Sequence, residues 1–111
     1  MPILAMTIPI PPGKTPALEQ HLAEAKNHPD IDETFKGFGI SRETWHVQET
    51  EQGDLLMLVF DADDPFTMLQ EFSRSNDDLP VWQRQSIKEI LGVDLSQPPP
   101  APPSRLIFDW P

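Results

Sequence analysis

The sequence predicts one α+β domain of order β, α, β, β, α, β, and three observations predict it. An apolar run, "ILAMTIPI", is stopped by "PPGK". Two segments of strand character, "RETWHVQ" and "LLMLVFDAD", flank a short turn containing Gly53. A helical pattern that opens on proline follows the first strand, and a second follows the third.

The first strand is apolar on both faces, as a central strand would be. Thr15 before Pro16 reads as an N-cap with proline in the first helical position, and Leu18, Leu22 and Ala25 then recur on one helical face. Pro29 interrupts this helix. "DIDETFKGFG" restarts it, with acids at its N-terminal end and Gly37 and Gly39 placed to end it. If Gln52 and Gly53 are the central turn residues of the hairpin, Glu51 pairs with Asp54, Val47 with Leu58 and Trp45 with Phe60, with Leu56 opposite Glu49. That face is a core face. The other carries Arg42, Thr44, His46 and Gln48 opposite Asp61, Val59, Met57 and Leu55, polar on one strand and apolar on its neighbour. Asp64 and Pro65 open a helix through Phe66, Leu69 and Phe72 that yields at "SRSNDD". Asp78 to Pro80 restarts it, Trp82, Ile87, Ile90 and Leu91 supply apolar positions, and Gly92 stops it. "SQPPPAPPS" is a stiff, extended linker, and "RLIFDW" alternates as a last strand.

The expected division is therefore an α+β domain over residues 1–96, a proline-rich linker over 97–104, and a strand over 105–111 that completes the sheet. The element order is the split-βαβ, ferredoxin-like arrangement: a four-stranded antiparallel sheet with helices on one face. Its first and third strands are central, and both are apolar on both faces here. Something must then cover the helix-free face. A second copy of the same sheet is the economical cover, which makes a homodimer the expected assembly.

Composition narrows the function classes. In 111 residues, 18 acidic against 8 basic side chains give a formal net charge of −10, which opposes nucleic acid and anionic membrane surfaces. Cysteine is absent, so disulfides, thiolate metal sites and cysteine nucleophiles are excluded. The N-terminus lacks the basic region of a signal peptide, and the longest apolar run, "LLMLVF", is far short of the roughly 20 residues of a membrane span. A cytoplasmic protein is the expectation. "PPGK" lacks the glycine-rich run and following pattern of a phosphate loop.

With that order in place, "MTIPIPPGKTPALEQHL" and "ETWHVQETEQGDLLMLVFDADDP" resemble the dimeric α/β-barrel superfamily, in a branch related to antibiotic-biosynthesis-monooxygenase-like and EthD-like proteins. The resemblance is one of pattern over residues 3 to 92 and carries no reaction-specific motif. Haem-degrading members use an asparagine on the first strand and a histidine on the second helix. Here the first strand offers Thr7, and the histidines, His21, His28 and His46, all precede that helix. Tyrosine, used by the antibiotic-type monooxygenases, is absent. The resemblance thus implies a homodimer that needs no cofactor, with a small, partly apolar ligand.

His46 is the leading titratable candidate, as acid or base on the face a second copy would roof over. Its other reading is a strand histidine that serves packing and register. Arg42, Thr44 and Gln48 share that face as substrate-binding candidates, and Arg42 can equally pair with Asp61 or Glu43. Trp45 and Trp110 are candidate pocket walls, Trp45 otherwise core beside Phe60 and Trp110 otherwise an anchor for the terminus. His21 and Glu24 have a metal-ligand spacing without a visible third ligand, so no metal site is expected and a solvated helix flank is the simpler account. Two functions follow: a cofactor-independent monooxygenase- or isomerase-like enzyme that binds a small molecule, or a non-catalytic dimer whose inter-sheet face is filled by its partner.

Overall fold

A computed structural model describes residues 2–111. Its elements are β1 (Ile3–Pro9), α1 (Thr15–Lys26), α2 (Ile31–Gly37), β2 (Ile40–Thr50), β3 (Gly53–Ala62), α3 (Pro65–Arg74) and α4 (Asp78–Leu91). The strands form an antiparallel sheet in the order β1-β3-β2. This is the neighbour pattern of the split-βαβ order, with each helical region broken in two.

The sheet has three strands among the described residues, not the expected four. Residues 105–111 form no strand, so β1 lies at an edge and only β3 is central. The reason is geometric. Ser104 donates its hydroxyl proton to the Ala5 carbonyl, so an antiparallel strand continuing from that point would place Leu106 opposite Ile3. Everything beyond Leu106 would overshoot β1.

Side-chain alternation decides the core. Leu4 and Ile8 of β1 and Leu56, Leu58 and Phe60 of β3 are buried against the helices, and Leu18, Met68, Ile87 and Leu91 close over them. Each fully buried aliphatic chain of this kind contributes roughly 1.5–3 kcal/mol. On the opposite face Ile3, Ala5 and Thr7 are exposed, while Leu55, Met57 and Val59 are half-buried.

The local signals resolve case by case. Asp64 caps α3 by accepting a bond from the Thr67 amide at 3.1 Å, and Gly92 ends α4 in the left-handed conformation at φ +72°. Thr15 is not a cap: it is the first helical residue, and its hydroxyl donates to the Asp54 carboxylate at 2.6 Å, tying α1 to the hairpin. The hairpin pairs Thr50 with Gly53, so Glu51 and Gln52 form the turn. The expected core-face pairs therefore move by two residues, to Glu43–Phe60, Trp45–Leu58 and Val47–Leu56, and every side chain keeps its face.

Leu56 is fully buried at the centre of the sheet. Leu56→Ala lowers unfolding free energy by about 2–5 kcal/mol in urea denaturation; a loss under about 1 kcal/mol would contradict its central place.

Candidate functional site

A bulge at the start of β2 sets the site. Between Ile40 and Arg42 the register shifts, and Ser41 fills the irregularity by donating its hydroxyl proton to the Asp61 carbonyl at 2.9 Å. Ile40 faces the helices before the bulge. Beyond it, Glu43, Trp45 and Val47 face them. An acidic side chain is thereby turned toward the core.

Glu43 opens into a cavity of about 240 Å³ between sheet and helices. Met6, Leu58 and Trp45 form its sheet wall, and Met68, Phe72 and Ile87 its helix wall. Pro99 and Pro103 of the linker border it, and the exposed Asp94 and Gln97 stand on the same side. Two polar groups lie deeper. The Trp45 indole nitrogen donates to Glu43 Oε2 at 2.6 Å. Gln83, buried on α4, also lines the cavity, and its Oε1 has no hydrogen-bond partner among the described residues.

Burial pushes the Glu43 carboxyl up to about 7, and the Trp45 bond, which favours the ionised form, only partly opposes it. A carboxyl in that range can give or take a proton at neutral pH. Gln83 stands in the stripe Leu79, Gln83, Ile87, Leu91, four residues apart and buried throughout. Neither Glu43 nor Gln83 is among the residues singled out from sequence, although both signals are there: Glu43 is two residues from Trp45 on one strand, and Gln83 interrupts an apolar helical stripe.

The sequence-selected residues divide between two faces. Arg42, Thr44, His46 and Gln48 lie on the helix-free face, opposite Asp61, Val59, Met57 and Leu55. His46 is exposed there, with Nε2 at 3.0 Å from Thr44 Oγ1. Arg42 and Gln48 are exposed beside them. Trp45 lies on the opposite face, in the cavity wall. Trp110, on the tail, is 81% exposed. Arg42 and Glu43, adjacent on β2, point away from each other.

His21 is not on a solvated flank. It is buried between α1 and α4 with its ring 4.5 Å from that of Trp82, and neither ring nitrogen has a partner among the described residues. Burial holds it below the usual histidine range, against a smaller opposing effect of Glu24. His28 is a turn residue whose Nδ1 accepts from the Asp30 amide at 3.0 Å. Among the described residues no three His, Asp or Glu side chains are grouped to hold a metal ion. No helix among them is long and apolar enough to cross a membrane.

The fold is shared with an L-rhamnose mutarotase. The crystal structure of L-rhamnose mutarotase FA22100 from Formosa agariphila matches with a TM-score of 0.63 at 14% sequence identity, covering 99% of this chain and 100% of that one. At that identity the likeness establishes an α+β fold with an antiparallel sheet. No protein-family model matches the chain, and no curated protein matches it.

The raised Glu43 value has a consequence for stability. Below pH 4.5 the carboxyl is protonated in both states; between 4.5 and about 7 the unfolded chain ionises first and binds fewer protons, so stability falls as pH rises. Glu43→Gln removes this contribution. Urea midpoints measured across that range should fall more steeply for the wild type than for Glu43→Gln, and parallel curves would contradict the burial of this group.

Proposed function

We propose that the chain binds a small, neutral, mostly apolar organic compound in the cavity between sheet and helices, and acts on it without a cofactor by proton transfer at Glu43. The observation that carries the reading is a carboxyl set into a mostly apolar cavity, with the buried Gln83 in its lining. A chain that needed only a packed core would lose stability by desolvating both. A ligand that accepts a hydrogen bond from protonated Glu43 supplies a partner that the apolar lining lacks. The net charge of −10 disfavours an anionic ligand.

The chemistry suited to this group is isomerisation. An ionised Glu43 takes a proton from a carbon beside a carbonyl and returns it to another atom of the same molecule, so no redox partner is required. Sharing a fold with a mutarotase is compatible with this class of reaction. A sugar suits the cavity poorly, because each hydroxyl needs a partner and the deep wall offers only Glu43, the Trp45 indole and Gln83.

A homodimer belongs to the same proposal. Leu55, Met57 and Val59 are only half-buried on the helix-free face, and a second copy covers them. In a second reading, that enclosed face is the site, with His46 as acid or base, Arg42, Thr44 and Gln48 positioning, and Trp110 as wall. Its non-catalytic rival has the face filled by the partner's side chains.

Acetophenone, a neutral aromatic ketone, is a suitable probe for calorimetric titration. Its affinity should weaken as pH rises through about 7, where Glu43 ceases to be a donor. Glu43→Leu should cost about tenfold in affinity, the equivalent of one hydrogen bond, and abolish that pH dependence. No binding, or binding indifferent to Glu43→Leu, contradicts the cavity reading; loss on His46→Ala alone moves the site to the helix-free face.

A further inference from the structure

The C-terminal tail is apolar and uncovered. Leu106 is 59% exposed, Ile107 82%, Phe108 79% and Trp110 81%. The tail begins at a fixed point, because Ser104 bonds the Ala5 carbonyl. The Ala62 amide donates to Pro2 at 3.1 Å and the Ile10 amide to Asp54 at 3.0 Å, so even-numbered positions of β1 bond β3 and odd-numbered ones face outward. Ser104 therefore sits on the free edge of β1, at the border of the helix-free face. Five prolines between residues 98 and 103 stiffen the approach and oppose folding back.

We infer that residues 105–111 are an exchange arm that docks across the helix-free sheet face of a second copy of this chain, with the second copy returning the same contact. The inference rests on the homodimer reading above and adds the element that makes the contact. Four matches support it. The arm and the Leu55, Met57 and Val59 stripe of the face are both apolar, the arm exposed and the stripe half-buried. An extended arm of seven residues reaches about 23 Å, enough to cross strands that lie about 4.8 Å apart. Arg105 and Asp109 leave the arm without net charge, so it adds no repulsion between two chains of −10 each. Phe108 and Trp110 carry roughly 150–250 Å² each, and two reciprocal arms with the surface they cover pass the ~1,000 Å² of a stable interface. The arm brings Trp110 of the partner subunit to the face that carries His46 and Thr44.

Two measurements on the full chain test this. Sedimentation should show a wild-type dimer and an I107D/F108D monomer with unchanged far-UV circular dichroism, since both side chains are exposed in a single copy and the fold does not need them. A benzoylphenylalanine photocrosslinker at position 108, in an equal mixture of ¹⁴N- and ¹⁵N-labelled chains, should yield mixed-isotope pairs with peptides from β1 or β3. A wild-type monomer, a dimer that survives the double substitution, or crosslinks confined to one chain would each overturn the arm. Acetophenone titration of the same samples reports the cavity independently, so failure of one reading is distinguishable from failure of the other.

Discussion

The structure depends on the antiparallel pairing of β2 with β3, and on the bulge at Ser41 that opens it. Strand side chains alternate, so the register of one pair fixes which groups meet the helices and which meet solvent. The bulge restores Glu43 to the helix side after Ile40, and Trp45 follows two residues on. His46 and Thr44 are sent to the other face by the same alternation. The cavity wall and the helix-free face are thus two sides of one pairing.

The core tolerates its acidic group for physical reasons that are local. Leu56, Leu18 and Ile87 exclude water from the centre, while the cavity leaves Glu43 partly accessible and the Trp45 indole satisfies one of its oxygens. Desolvation then favours the protonated carboxyl, and a residue that would be a fixed charge at the surface becomes a proton donor near neutrality. Among the described residues, Gln83 has no such compensation for its Oε1. His21 meets burial differently: it gives up charge and packs its ring on Trp82.

Much of the fold was legible because its signals are local. Pro65 after Asp64, Gly92 after Leu91 and the alternation of β3 each specify a short stretch of backbone, and each stands where it reads. The turn at Glu51–Gln52 differed by one residue from the expected Gln52–Gly53, which shifts partners but not faces. Thr15 was less legible because its hydroxyl has two possible uses, and the partner that takes it, Asp54, is 39 residues away. The last strand could not be read at all from alternation in "RLIFDW", since pairing depends on how much of the β1 edge remains beyond Ala5. For the site, attention to histidine favoured His46, which is exposed, whereas the buried carboxyl with the raised value is Glu43, whose position beside Trp45 was readable from the same two-residue period.

Burial beside an apolar cavity raises the Glu43 carboxyl into the neutral range. The most direct measurement is a ¹³C NMR titration of the glutamate side-chain carboxyls, with Glu43 assigned through Glu43→Gln. A Glu43 midpoint of about 7, set apart from the other glutamates, is expected. A midpoint near 4.5, the ordinary value for this group, would mean that water reaches it freely and that the cavity site does not exist.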